Sequence, residues 1–402
     1  MEYDVVVAGA GPAGSAVARD VAKAGFKVLL LEEDGVVGKP VRCAGLVSHR
    51  TIELAGVGNG VVLNEIKGAI VHSASGKQLS IGGDKTYALV IDRAAFDAKL
   101  AEQAQQCGAD LLLGTKLLHI ERRNGLLHVH AGADSKRVAV DAKLVVGADG
   151  AHSNVASYLG VPSPRETIIA VTGEAKLTPG VADFVDVFVG TSVAPGWFGW
   201  LIPTGNGVVR IGSGSTDGKG NAPQQLLSSL VVTFPQQLKD VEFTAVRGGV
   251  IPLYSPRKTY GRNILLVGDA ACQVKPTTGG GIYTGLVGAK HCARTAVRAL
   301  EEEDFSEEFL SQYEAAWRGE LGEEFQRGLD LRRVLVDLRD DEIDWLLTLF
   351  RHNGLQSIIS KYGDIDYPSP LFGHLLKVAP LLRALVRIPI PLPSLWLPWL
   401  GE

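Results

Sequence analysis

A chain of 402 residues with 46% hydrophobic content can bury a large core, which excludes a small module and suggests about two to three domains. Its net charge of −4, with both signs interspersed, excludes a global field that would draw it to nucleic acid. The four cysteines, Cys43, Cys107, Cys272 and Cys292, have no metal-type spacing, which argues for a reducing compartment and against a disulfide framework or a metal site.

Met1-Glu2-Tyr3 leads straight into the first strand, so no signal peptide is expected and the expected address is cytoplasmic. Residues Asp4 to Glu33 then read as strand, tight turn, helix and second strand. Val5-Val6-Val7-Ala8 is an apolar run suited to a buried strand. Gly9, Gly11 and Gly14 carry the spacing that lets backbone N–H groups and a helix N-terminus approach a pyrophosphate. Glu32 ends the second strand, where a carboxylate can accept hydrogen bonds from a ribose; Glu33 falls on the other face.

The loop Gly38-Lys39-Pro40-Val41-Arg42-Cys43-Ala44-Gly45 follows, carrying a cation and a thiol; Cys43 also fits a small buried hydrophobe. Residues 61–90 alternate apolar and polar, as strands of a second sheet do. Asp92 is an expected N-cap, opening a helix with Phe96, Leu100, Ala104 and Cys107 on one face. Arg93 in its first turn is unfavourable unless it meets an anion, so it is either a phosphate ligand or an ordinary solvated arginine. Short strands fill 110–147 and run into Gly147-Ala148-Asp149-Gly150, after which Ser153 opens a helix.

Residues 160–260 hold many short β-type runs broken by Gly and Pro, with one helical stretch from Pro223 to Val232. The chain returns to a buried strand at Asn263–Val267, followed by Gly268-Asp269-Ala270-Ala271. Lys275-Pro276-Thr277-Thr278-Gly279-Gly280-Gly281 opens a long helix ending near Leu300, and charged amphipathic helices follow. The expected organisation is α/β. A discontinuous Rossmann-type nucleotide-binding domain covers 1–60, 91–160 and 262–300, and a largely antiparallel inserted sheet, the expected substrate domain, covers 61–90 and 161–261. A C-terminal helical region with an apolar tail covers 301–402.

The cradle, the Gly147–Gly150 segment and the Gly268–Ala271 segment each end a strand, so in a parallel sheet they converge on one side. Asp269 is well placed there for a ribityl hydroxyl, and the Gly279-Gly280-Gly281 turn suits a developing negative charge on a reduced ring. This constellation resembles the para-hydroxybenzoate-hydroxylase superfamily of FAD proteins over about residues 3–300. The resemblance implies FAD, not NAD, as the tightly held nucleotide. No second strand-GxGxxG-helix unit is present, which argues against a dedicated nicotinamide domain.

Ala194-Pro195-Gly196-Trp197-Phe198-Gly199-Trp200-Leu201-Ile202-Pro203, followed after eight residues by Gly212-Ser213-Gly214, resembles the geranylgeranyl reductase pattern. Phe198 stands where Tyr is usual and Ile202 where Phe is usual. Pro40–Cys43 and Pro276–Ile282 also look like that family's flavin-contacting motifs. The resemblance implies an archaeal-lipid type of reductase that saturates C=C bonds of geranylgeranyl chains on a membrane lipid precursor.

It further implies an adenosine half held by Gly9, Gly11, Ala13, Gly14 and Glu32. Arg42, Cys43, Ala44, Gly45, Arg93 and Leu117 would add further flavin contacts, as would Asp149, Asp269, Gly280, Gly281 and Ile282. Cys43 is the one catalytic candidate, lying against the ring. Trp197, Phe198, Trp200, Pro203, Gly212 and Gly214 would meet the prenyl substrate, since a dry aromatic wall stabilises developing cationic character, although these residues also suit a sheet core. The electron donor stays open among ferredoxin, a nicotinamide and a deazaflavin. The proton donor stays open among Tyr254, Tyr283, His49 and water.

Same-fold rivals are a halogenase, with Lys67, Lys77 or Lys85 by position, and an aromatic monooxygenase; an electron carrier or lipid binder without turnover is a third. In the tail, residues 371–400, five prolines and internal cations disfavour a span. Leu371, Leu375, Val378, Leu382 and Leu385 share a helical face opposite Lys377, Arg383 and Arg387. With Trp396 and Trp399 as anchors, this predicts peripheral contact with the inner face of the cell membrane; a core-capping helix fits equally.

Overall fold

The structure is a computed structural model describing residues 1–133, 136–216, 223–239, 241–352, 355–371 and 374. The chain begins β1 (Glu2–Ala8), α1 (Pro12–Lys23), β2 (Val28–Leu31), β3 (Leu46–Val47), α2 (His49–Ala55), β4 (Val62–Ile66) and β5 (Gly68–Ser73). It continues β6 (Gln78–Gly82), β7 (Ala88–Ile91), α3 (Arg93–Gln106), β8 (Asp110–Leu112), β9 (Lys116–Arg123), β10 (Leu126–Ala133) and β11 (Lys136–Gly147). Then come α4 (Asn154–Tyr158), β12 (Thr167–Lys176), β13 (Phe184–Val189), β14 (Gly199–Gly205), β15 (Val208–Thr216), α5 (Pro223–Thr233) and α6 (Pro235–Leu238). The last part is β16 (Phe243–Pro252), β17 (Tyr260–Gly261), β18 (Ile264–Leu266), α7 (Ile282–Glu301), α8 (Glu307–Asp337), α9 (Asp340–His352) and α10 (Leu355–Tyr362).

The first sheet runs β17-β18-β11-β1-β2-β8, parallel from β18 through β8, with β9 and β10 attached to β11 as an antiparallel meander. An unbroken apolar β1 follows from burial on both faces. Val5 and Val7 pack with Val17, Phe96 and Leu286 beneath α1, α3 and α7, while Val6 and Ala8 pack with Leu29, Ile120 and Leu127 on the meander side.

The second sheet, β16-β12-β15-β14-β13-β5-β6, is antiparallel except where β13 pairs with β5. One face packs under α5 through Leu201, Ile211 and Leu230. The 61–90 strands divide between two sheets: β5 and β6 join this one, while β4 and β7 form a small sheet with β3. The division falls at Gly68, where a Cβ would lie 2.3 Å from the Phe184 ring; only a bare backbone lets the chain cross there.

The 31-residue α8 buries Tyr313, Trp317, Leu321 and Phe325, one per turn, against the first sheet's helices. No helix among the described residues is long and apolar enough to cross a membrane. Of the tail, 372–373 and 375–402 lie outside the described residues, and so does the expected interfacial helix.

Candidate active site

The cradle is shaped by where a side chain is forbidden and where it is not. Gly9 takes φ +98°, and a Cβ there would lie 2.4 Å from the Ala148 carbonyl oxygen. A Cβ on Gly14 would lie 2.0 Å from the Gly9 carbonyl oxygen, so α1 is drawn hard against the turn. At Gly11 a Cβ would meet nothing within 4 Å. Open space therefore faces the N-terminus of α1, which has Pro12 in its first turn and no side-chain cap.

Ala13 faces Gly268 across the turn. Glu32 enters the cradle: its Oε2 accepts from the Ala10 N–H at 2.9 Å and its Oε1 from the Asp34 N–H at 2.9 Å, while burial pushes its carboxyl up. Glu33 is exposed and pairs with Lys116 at 2.6 Å.

Asp149 is used locally. Its Oδ1 accepts from Ser153 Oγ at 2.5 Å and its Oδ2 from the Asn154 N–H at 2.8 Å, so the carboxylate caps α4. Leu117 is buried on β9, its carbonyl accepting from Asn154 Nδ2 at 2.7 Å. Arg93 likewise has a local partner, bonding Asp97 one turn on at 3.1 and 2.8 Å. Burial alone would lower its pKa; Asp97 and the adjacent Cys43 hold it above the ordinary value.

Arg93, Cys43 and Asp269 gather at the other end of the cradle, where Cys43 and Asp269 both interact with the Arg93 charge. Cys43 is half-buried, its sulfur 3.4 Å from the Gly45 N–H. Ala44 offers its carbonyl to Arg210 of β15 at 3.0 Å, tying the loop to the second sheet, and Arg42 is exposed. Asp269 follows β18, and a Cβ on Gly281 would sit 3.1 Å from its Oδ1. Gly281 is the N-cap of α7, with no side-chain cap, so the Gly280, Gly281 and Ile282 backbone presents that helix end to the same space.

Desolvation pushes the Asp269 carboxyl up to about 6, opposed by the Arg93 charge. An acid raised on folding holds its proton more tightly when folded, so its contribution to apoprotein stability is complete at low pH and fades as pH rises through about 6. A ribityl hydroxyl donating to Asp269 would favour the ionised form instead. Cofactor affinity should therefore rise about tenfold from about pH 5 to about pH 7 and flatten in Asp269→Asn, read by fluorescence titration of apoprotein. Equal pH slopes in the two proteins would remove Asp269 from the contact.

The aromatic segment enters β14 as a stack. Trp197 lies on Phe198 at 4.9 Å between centroids and 19°, and Phe198 meets Trp200 edge-on at 6.1 Å. The GxG is their seat: in register, Gly212 opposes Trp200, and a Cβ there would fall 2.2 Å from the indole. A Cβ on Gly214 would fall 2.6 Å from Trp197. Trp197 also lies against Gly279 of the Lys275–Gly281 turn, 3.0 Å from where its Cβ would be, and Trp200 packs beside Ala44 and Leu46. Pro203 continues the strand opposite Val209.

A cavity of about 560 Å³ opens between the Lys39–Cys43 loop and β12, β15 and β16. Cys43 lines it; Trp197, Phe198 and Trp200 do not. Arg332 of α8, missed in the sequence, clamps the stack from behind, bonding Glu166 at 2.9 Å and lying 4.9 Å over the Trp197 ring.

Of the proton-donor candidates, the Tyr254 hydroxyl accepts from Arg318 in the α8 core, that of Tyr283 bonds Tyr367, and His49 is exposed. Lys67, between β4 and β5, pairs with Asp183; Lys85, in the β6–β7 connection, lies over Tyr87; and Lys77 is exposed beyond β5. None of the three lines the cavity beside Cys43. No metal-binding cluster occurs among the described residues.

Among the described residues, open space before Gly11, two helix ends without side-chain caps and an Asp269 carboxylate with no side-chain hydrogen bond fit a dinucleotide carrying a ring. The chain is a flavoprotein: the model of the FAD binding domain family matches residues 2–319.

The digeranylgeranylglycerophospholipid reductase of Methanocaldococcus jannaschii is 34% identical over 86% of this chain and 89% of its own. Digeranylgeranylglycerophospholipid reductase 1 of Methanococcoides burtonii is 32% identical over 96% and 95%. The chain belongs to the digeranylgeranylglycerophospholipid reductase family. Among solved structures, a geranylgeranyl bacteriochlorophyll reductase-like protein from Thermoplasma acidophilum superposes with a TM-score of 0.84 at 26% identity, over 96% of this chain and 99% of that one.

Proposed function

We propose that this protein is an FAD-dependent reductase that saturates C=C bonds of geranylgeranyl chains carried on a membrane-lipid precursor. The observation that carries the reading is the contact between the two halves of the site: the Trp197 indole rests on the ring-side turn at Gly279. When bound and reduced, FAD would supply the hydride. Gly9, Gly11, Gly14 and Glu32 would hold its adenosine half, and Asp269 with the Gly280–Ile282 turn would orient the ring. Cys43 and Arg93 would lie beside it.

The Trp197–Phe198–Trp200 stack, which stands outside the cavity that Cys43 lines, would keep water from an alkene bound against it and offer ring faces to cationic character at the more substituted carbon. Among the described residues the Trp200 Nε1 is buried without a partner, a cost of about 1–3 kcal/mol. Each bond saturated would consume one hydride and one proton, so turnover would require an external reductant.

The test is anaerobic incubation of chemically reduced holoprotein with geranylgeranyl glycerophospholipid, followed by mass spectrometry. Stepwise gain of hydrogen pairs in the prenyl chains, with oxidation of the flavin, is the expected result. Flavin that stays reduced and lipid of unaltered mass would overturn the reading.

A further inference from the structure

Lys275 opens the turn that ends at Gly281, and its side chain runs back beneath it. A Cβ on Gly280 would lie 2.7 Å from Lys275 Cε and 3.1 Å from Nζ. That ammonium donates to the Ile365 carbonyl at 2.6 Å and meets Asp366 Oδ1 at 3.3 Å. The two side chains are 6% and 2% exposed, which makes this a buried pair and not a surface one.

The segment carrying Asp366 is pinned from both sides. Arg50 of α2 forks onto Asp364 at 2.9 and 2.7 Å and reaches Asp366 at 3.5 Å, while Asp364 accepts the Asp366 and Tyr367 N–H groups. Tyr367 in turn bonds Tyr283 in the first turn of α7 at 3.1 Å. Glu324 also bears on the Lys275 charge.

Burying a cation and a carboxylate costs several kcal/mol per ion before their attraction is counted, and an apolar pair of the same volume would serve stability as well. What an apolar pair could not do is set the charge behind a turn that faces a ring whose reduced form is anionic. Local charge acts strongly there because water is excluded.

We propose that the Lys275–Asp366 pair is a charge-balancing device of the flavin site. Lys275 favours the reduced anionic ring through the Thr278–Ile282 turn, Asp366 holds that cation in check, and residues 364–367 thereby belong to the cofactor site. Both act through the turn as positioning residues. The proposal rests on the flavin site and not on which alkene is reduced, so its test contains no lipid and a failed lipid assay leaves it standing.

The experiment is an anaerobic midpoint-potential titration of the FAD-loaded protein and of three variants. Asp366→Asn uncovers the cation and should raise the potential. Lys275→Met leaves a buried carboxylate and should lower it. Lys275→Met/Asp366→Leu removes both charges and should return it close to the starting value. FAD affinity of each single variant should fall about tenfold and recover in the double variant, because each single takes away the buried counter-charge and leaves Lys275 with only the Ile365 carbonyl, or Asp366 with only the longer Arg50 contact.

Shifts of the same sign in both single variants, or no shift in either, would overturn the proposal. If a single variant does not retain FAD, the double variant decides: flavin bound at the starting potential supports the device, and loss of flavin or a displaced potential sinks it.

Discussion

Alanine at Gly11 is expected to leave the apoprotein's thermal midpoint unchanged while stripping it of flavin; alanine at Gly14 should cost both. The two glycines stand three residues apart in one turn and face opposite things. A methyl at Gly11 projects into space empty of protein to 4 Å, and the backbone there, at φ −66° and ψ 178°, suits any residue. It can disturb only what enters that space.

A methyl at Gly14 would stand 2.0 Å from the Gly9 carbonyl oxygen and 2.9 Å from Ala148 Cβ, so α1 must lift away from β1. Overpacking of that kind costs about 1–3 kcal/mol, and it carries the helix N-terminus away from the pyrophosphate position. Flavin absorbance of the purified proteins and thermal melts of their apo forms read both effects. Stoichiometric FAD in Gly11→Ala would mean that the cofactor's phosphates lie elsewhere.

That contrast also marks what the sequence carries locally. The β1-α1-β2 unit is legible because its apolar run, glycine spacing and acidic end all fall within thirty residues and answer to one backbone geometry. The caps at Asp92 and Ser153 are legible for the same reason, each accepting an N–H three residues on. Two local partners are equally within reach of the sequence: Asp97, four residues after Arg93, bonds that guanidinium, and Ser153, four after Asp149, bonds that carboxylate.

Pairings set by tertiary registry leave no local trace. Glu166 finds Arg332 across 166 positions, Lys275 finds Asp366 across 91, and β13 takes β5 as a parallel neighbour with no helical crossover to announce it. The reductase-like GxG lies between these extremes. Its spacing is visible in the sequence, but its physical reason, two glycines seating two indoles across a strand pair, appears only with the register of β14 on β15.

That seat separates a substrate role for Trp200 from a packing role. Alanine at Gly212 would place a Cβ 2.2 Å from Trp200 Cζ2 and 2.4 Å from Cε2, displacing the indole at a cost of about 1–3 kcal/mol in stability. FAD binding should survive, since Gly212 lies on the second sheet and the cradle on the first. Reduction of the prenyl chain should fall about a hundredfold, because a displaced ring both admits water and withdraws its face from the developing charge.

Trp200→Leu combined with Gly212→Ala removes the overlap, so stability should recover by most of what the single substitution loses. Activity should not recover, because leucine fills the volume without supplying an aromatic face. Melting curves, flavin content and lipid turnover on the same three proteins read the outcome. Recovery of turnover together with stability in the double variant would reduce Trp200 to an ordinary sheet residue and leave the chemistry to Trp197, which lies against the turn at Gly279.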